Sequence, residues 1–398
     1  MRFSVPTNWQ EDLISKIRKD SVEELYGKLH TDFVGGGRSS YLLPRVSKRK
    51  AARHIQEAHK NGLKFNYLLN ATCLNNLEWT ASGQKKLRLL LDWLAEIGVD
   101  CVTVSIPYLL ELVKKRYPQL RVCVSTQPEV DGVRRAVYWQ DLGADKITLS
   151  TIDVNRDFRL LKQIRKSVKC KLQLIANLWC LQGCYLHPYH CVLLDHSSQK
   201  FHPSREWFKI DYCYLSCNYI RLKNPVEFIR SEWIRPEDVH YYEEIGIDEL
   251  KFVDRLMTTD AISLIVNAYT DRYYNGNLLD LFYSPAKLIK YQKAGFLRKL
   301  RHIPRRLFTK SSKPFRLANL YYDARAGIYV DNQALNGFLE RLLEEDCRLK
   351  SCEECKYCDE IAGKSVKIDP DYRKKILEEY RRFFNEVFSE RISGHVYK

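Results

Sequence analysis

Short apolar and β-branched runs return along this chain at intervals that leave room for a helix between them, and this alternation limits the fold more than any other feature. The strand candidates are residues 22–29 (VEELYGKL), 64–70 (KFNYLLN), 100–106 (DCVTVSI), 120–126 (LRVCVST), 146–150 (KITLS), 171–177 (KLQLIAN), 219–224 (YIRLKN) and 249–255 (ELKFVDR). Helical patterns fit most intervals. Residues 83–98 stack Leu87, Leu90, Leu91 and Leu94 on one stripe, with Ser82 as the expected N-cap. RPEDVHYYEEIG places Pro236 near the first helical position and Gly246 at the end. Eight strands with helical crossovers over about 250 residues predict an α/β fold of the TIM type, a (β/α)8 barrel. A doubly wound open sheet is the competing arrangement, but no Gly-x-Gly-x-x-Gly turn supports it.

The sixth interval breaks the pattern. Some forty residues rich in Cys, His and aromatic side chains stand where one helix should be. The predicted organisation is therefore a barrel over 1–275 with a Cys-rich insertion at 178–218 after strand six. A basic linker or surface segment follows at 276–330, then a helical extension with a four-cysteine site at 331–398. Segments that leave the C-terminal ends of barrel strands are where active sites sit.

The chain carries thirteen cysteines. The N-terminus lacks a signal-peptide core and no apolar run approaches the roughly 18 residues of a membrane helix. The expectation is a cytoplasmic protein without a transmembrane segment, its thiols reduced. The first constellation is Cys180-x3-Cys184-x6-Cys191, then Cys213-x3-Cys217, of which four are expected to be ligands. Converging thiolates suit tetrahedral zinc or an iron–sulfur cluster, and His187, His190 and His196 keep a mixed Cys/His zinc site open. The second is Cys347-x4-Cys352-x2-Cys355-x2-Cys358. Its first three members follow the Cys-x4-Cys-x2-Cys run of plant-type ferredoxins, with zinc as the competitor. Cys101, Cys123 and Cys170 lie within or beside strand runs and read as core, whereas Cys73 follows a strand end.

Strand ends supply the polar candidates Asn70, Ser125, Thr126, Ser150, Asn177, Asp254 and Arg255, of which Asn70, Asn177, Asp254 and Arg255 are the catalytic candidates. Gly35, Gly36 and Gly37 could offer backbone N–H groups to an anion, with Arg38 as a charged clamp and Asp32 nearby. The substrate-binding candidates are therefore Gly36, Gly37 and Arg38. The net charge is +16, and residues 284–316 hold eleven Lys or Arg and no acid, interleaved with aromatics. That stretch suits RNA phosphates or an anionic membrane. There is no His-Glu-x-x-His or Gly-x-Ser-x-Gly motif to support hydrolysis.

The strand ending at Asn177, the Cys180-x3-Cys184 insertion, YLSCNYIRLKNPVEFIRSEWIRPEDVHYYEEIGIDELKFVDR, ELYGKLHTDFVGGGR and FNYLLN together resemble the collagenase-like peptidase family, U-32 in peptidase classifications. The resemblance spans residues 20–275, and the cysteine tail is similar to an extension of one branch. It implies a TIM-type barrel whose cysteines hold a [4Fe-4S] cluster. Members with understood roles resemble oxygen-independent hydroxylation factors acting on ubiquinone precursors or on transfer and ribosomal RNA; others are named collagenases or proteases. The family signature carries a Glu shortly before its first cysteine, whereas LQLIANLWC has no acid. Matched by order, Cys180, Cys184 and Cys217 are ligands, Cys213 and Cys191 compete for the fourth place, and Cys73 is a further candidate. The expected activity is an iron–sulfur-dependent, oxygen-independent modification, hydroxylation or another redox reaction, with a [4Fe-4S] cluster or zinc at the C-terminal site. An electron donor or a paralogous subunit is the expected partner. The alternatives are a peptidase and a zinc-stapled RNA-binding module.

Overall fold

The computed structural model describes residues 1–40, 42–204, 211–282, 320, 327–345 and 347–388. Eight parallel strands close into a barrel in chain order: β1 (Arg2–Pro6), β2 (Val22–Gly27), β3 (Lys64–Leu69), β4 (Cys101–Val104), β5 (Arg121–Val124), β6 (Lys146–Thr148), β7 (Lys171–Ile175) and β8 (Glu249–Lys251). Closure comes from Phe3 of β1 pairing with Leu250 of β8. Helices with one apolar face cover the outside, as in Ala81–Glu96, where Leu87, Leu90, Leu91 and Leu94 are all buried. Its N-cap is Thr80, not Ser82: the Thr80 hydroxyl accepts from the Gly83 amide. The helix expected to start near Pro236 begins at Val239 and ends, as expected, at Gly246 in the left-handed region.

Two strands differ from the sequence reading. Arg2–Pro6, absent from the candidates, is β1; it carries one β-branched residue, Val5, so propensity barely marks it. Residues 219–224 are not a strand but the end of the helix Tyr212–Lys223 with its C-cap, Asn224. Leu215, Tyr219 and Leu222 fall at helical spacing, and Asp211 caps the start by accepting from the Tyr214 amide. The Cys-rich insertion therefore leaves the seventh strand of the barrel, not the sixth, and still opens at the C-terminal face.

The barrel interior is polar. Lys146 Nζ lies 2.9 Å from Glu24 and 2.6 Å from Glu249, all three buried. Ser4 (2.7 Å) and Asn66 (3.0 Å) also donate to Glu24, and Gln173 donates to Glu249 (3.0 Å). In the extension, Ile328–Val330 pairs antiparallel with Val366–Ile368. The helix Pro370–Phe388 lies against the insertion, with Tyr380 and Phe384 packed on Tyr219 at 5.8 and 5.5 Å between ring centroids. The basic stretch 284–316 lies outside the described residues. No helix among the described residues is long and apolar enough to cross a membrane.

Candidate functional site

The chain turns out of β7 through Asn177, whose amide is fully engaged by backbone: it donates to Val253 O (2.6 Å) and Leu281 O (2.9 Å) and accepts from Val253 N (2.7 Å). Asn177 thus ties the ends of β7 and β8 together just before the cysteines. Cys180 and Cys184 follow in a loop, while Cys213 and Cys217 sit one turn apart on the helix Tyr212–Lys223, a spacing that puts both side chains on one face. Cys184 and Cys213 are buried together with Ile152, Leu181 and Leu186, and Cys180 and Cys217 pack against them. Burial raises the Cys180 and Cys213 thiols to about 12; Cys184 and Cys217 add to the rise in both cases, joined by Asp211 at Cys213. With the Cys180, Cys184 and Cys213 thiols raised by burial, these groups are poor nucleophiles, and a soft cation is the partner that would ionise them.

Cys191 sits beside this group rather than in it. Its Sγ is 3.7 Å from His187 Nε2, and His187 Nδ1 lies 2.7 Å from Glu129. Burial pushes the Cys191 thiol well up, with Asp195 and Cys180 adding to the effect. His190, Asp211 and Cys213 present one ligand atom each within 4.8 Å of one another, so a nitrogen or oxygen donor stands next to the thiols. His196 is stacked on His202 at 4.1 Å. Cys73 Sγ accepts from the Asn75 amide at 3.3 Å. Cys101 and Cys123 are buried in strands, and Cys170 is half-buried beside β7.

The glycine loop reaches across the barrel mouth. Its N–H groups are engaged by the chain itself: Gly35 donates to Asp32 (2.7 Å), Gly36 to Ser198 Oγ (2.7 Å) and Gly37 to Asp195 (2.8 Å). All three glycines have positive φ, and a Cβ on Gly36 would stand 2.2 Å from Asn70 Oδ1, so the backbone must pass close to the strand end. Asn70 donates to Ser125 Oγ at 3.2 Å, and Arg38 Nε reaches Asp254 at 2.5 Å. Thr126 donates to Leu149 O at 2.9 Å, and Ser150 is buried. Asp195, which sequence patterning did not mark, is the clasp between insertion and mouth: besides Gly37 it accepts from Gln127 (3.0 Å) and twice from Thr72 (2.9 and 3.0 Å). Burial nonetheless raises its carboxyl above the usual range against those donors. Lys28 and Lys251, equally unmarked, are buried at the same mouth.

In the extension, a capping box at Ser351 and Glu354 starts the one-turn helix Cys352–Cys355, and Lys356 in the left-handed region turns the chain into Tyr357–Ser365. Burial lifts Cys358 to about 11, with Arg156 and Arg230 opposing and Cys352 and Cys347 adding to the rise. Those three thiols share one neighbourhood, and Cys355 lies on the turn between two of them. Arg156 stacks on Trp233 and Phe338 (4.4 and 4.8 Å), and Arg230 pairs with Asp359 (3.2 Å), so two cations from the barrel side face the tail thiols.

The family model for peptidase family U32 matches residues 43–183. A protein of Methanocaldococcus jannaschii named uncharacterized protease MJ1657 is 30% identical over 353 residues, covering 89% of this chain and 91% of its own. The chain belongs to peptidase family U32. Among solved structures, that of the U32 peptidase Mk0906 is 23% identical, covers 64% of this U32 chain and 93% of its own, and gives a TM-score of 0.48. A chitinase from Rhizomucor miehei is 12% identical over 68% of this chain and 100% of its own, with a TM-score of 0.37.

Proposed function

We propose that this U32 protein is an iron–sulfur-dependent, oxygen-independent modification enzyme that carries out hydroxylation or another redox reaction at the C-terminal mouth of its barrel. The observation that carries the reading is the meeting of Cys180, Cys184, Cys213 and Cys217 in one apolar pocket beside that mouth. The four thiols are soft donors, with His190 and Asp211 standing beside Cys213, and four sulfurs suit a [4Fe-4S] cluster, which gives electron transfer or activation of a bound group when the cluster is present. The chain's own residues fix the setting. Arg221 covers the Trp179 ring at 4.6 Å and donates to the Trp179 carbonyl, walling the pocket beside Cys180. Asp195 holds the insertion onto the glycine loop, and Arg38 with Asp254 closes one side of the mouth. Cys347, Cys352, Cys355 and Cys358 would hold a second cluster that relays electrons from a donor protein or paralogous subunit, or a zinc ion that staples the tail. A cytoplasmic setting, where thiols stay reduced, belongs to this reading, and residues 284–316 are its candidate RNA contact.

A second reading, a peptidase, rests on the Cys191, His187 and Glu129 arrangement and on the protease name of the Methanocaldococcus relative. It stands second because burial and the neighbouring Asp195 oppose the thiolate such a nucleophile needs.

The deciding experiment is anaerobic purification of the full chain with an ultraviolet–visible spectrum and iron, sulfide and zinc analysis. Wild type, Cys180→Ser with Cys217→Ser, and Cys352→Ser with Cys358→Ser are compared. Iron and sulfide that fall when the first pair is replaced support the reading. A colourless protein without iron after anaerobic reconstitution, together with gelatin or casein cleavage abolished by Cys191→Ala, would replace it by the second.

A further inference from the structure

Among the described residues, two buried cations at the barrel mouth are paired with no acid. Arg255 is 4% exposed; among the described residues its guanidinium makes no hydrogen bond or ion pair, and its Nη1 is sealed from solvent without a partner. Lys251, at the end of β8, is 8% exposed and lies over the face of Tyr26, at 4.2 Å from the ring centroid, with no hydrogen bond or ion pair among the described residues. The acids nearby are already committed. Asp254 holds Arg38 through Oδ2 and accepts from the Leu256 amide through Oδ1 (3.1 Å). Asp32 takes Gly35, Tyr67 (2.9 Å) and Lys28 (3.0 Å). Glu24 is held by Lys146.

Arg255 acts electrostatically on both Lys251 and Lys28, so these cations lie in one region and repel one another, while Asp254 and Glu24 act favourably on Arg255 and Lys251 without pairing with them. A guanidinium does not relieve such a position by losing its proton, and a buried charge without a counter-charge is costly. A planar fork of donors left open is also the shape that grips two oxygens of one anion.

We propose that Arg255, with Lys251 as second cation, binds the oxyanion group of a small ligand, carboxylate or phosphoryl, that enters the barrel from its C-terminal end. The ligand is small because both cations are more than nine-tenths buried, which keeps out a phosphate flanked by the rest of a polynucleotide. Neither the cluster nor a peptidase mechanism is needed for this assignment, since it rests on two buried cations that no acid among the described residues pairs by hydrogen bond or ion pair.

The test is isothermal titration calorimetry and thermal melting of the full-length protein, as purified, with sodium malonate and inorganic phosphate at constant ionic strength set by chloride. Wild type should bind at least one probe saturably, and the probe that binds tells carboxylate from phosphoryl recognition. Arg255→Met should weaken that binding at least tenfold. It should also melt no lower than wild type in chloride alone, because it removes an unpaired charge. If Arg255→Met does not fold, Lys251→Met carries the same comparison with the 253–257 segment intact. The proposal is overturned by no saturable binding of either probe to wild type. It is equally overturned if affinity is unchanged in the folded variants, or if Arg255→Met melts well below wild type and binds as well.

Discussion

Replacing Lys146 by Met tests whether the charged centre of the barrel is held as the structure indicates. Lys146 is 5% exposed and bridges Glu24 and Glu249, each 1% exposed. Burial alone would push the Glu24 carboxyl up, but Lys146 and the donors Asn66 and Ser4 outweigh it and hold it at about 2, below its ordinary 4.5. A displacement of that size corresponds to about 3 kcal/mol, and removing one partner of a buried pair costs about 3 to 5 kcal/mol. The two routes agree, so Lys146→Met should lose about 3 to 5 kcal/mol in urea unfolding at pH 7. The pH dependence separates this from a simple packing loss. In wild type the Glu24 contribution is complete above pH 4.5 and is lost only as the pH falls toward 2. In the variant Glu24 has no ion pair left among the described residues, while Glu249 keeps Lys171 at 3.3 Å. Burial then raises the Glu24 carboxyl, and protonation relieves it. The stability difference between the two proteins should therefore shrink from pH 7 to pH 5, and contributions common to both cancel. Adding Glu24→Gln should recover more than half of the loss at pH 7. A loss under about 1 kcal/mol, or a difference that does not change between pH 7 and 5, would refute the reasoning.

Three further outcomes follow from single residues. His54, buried against Thr7 (2.8 Å), is pushed down to about 4 by desolvation, chiefly, and by Lys50. The unfolded chain takes up its proton near pH 6.5, so stability should fall by about 3 kcal/mol as the pH drops from 6.5 to 4, and urea midpoints of His54→Gln should be flatter there. Asp195→Ala leaves four donors without an acceptor and should cost about 3 kcal/mol; limited proteolysis should then open the chain near residues 35–40 faster than in wild type. Gly36→Ala forces a Cβ against Asn70 Oδ1 at a φ of +135° and should lower the melting temperature by the equivalent of about 2 kcal/mol, whereas Gly62→Ala, strained in φ alone, should cost less.

What could be read from the sequence was what local pattern carries. Seven of the eight strands announce themselves through short apolar runs, because a strand buried on both faces needs them. The cysteines announce themselves because a thiol's chemistry is in its identity. The errors fall where local pattern is ambiguous. YIRLKN satisfies a strand by propensity, yet the helix Tyr212–Lys223 wins because its cap and its Leu215, Tyr219 and Leu222 stripe lie partly outside that six-residue window. RFSVP is short and weakly marked, and only barrel closure, through pairing with β8 almost the whole barrel away in sequence, makes it β1.

The site divides along the same line. Asn177 and Asp254 were legible as strand-end residues, but their roles were not. The Asn177 amide meets Val253 and Leu281, 76 and 104 residues away, and Asp254 meets Arg38 at a separation of 216. No spacing rule reaches that far. Asp195 lies on a helix of no clear amphipathic pattern and gains its place only when Gly37, Thr72 and Gln127 arrive from three other loops. Arg255 is the reverse case. Its position at a strand end was readable, but what sets it apart is that Asp254, Asp32 and Glu24 are already committed to other donors, and a commitment of that kind exists only once the barrel has closed.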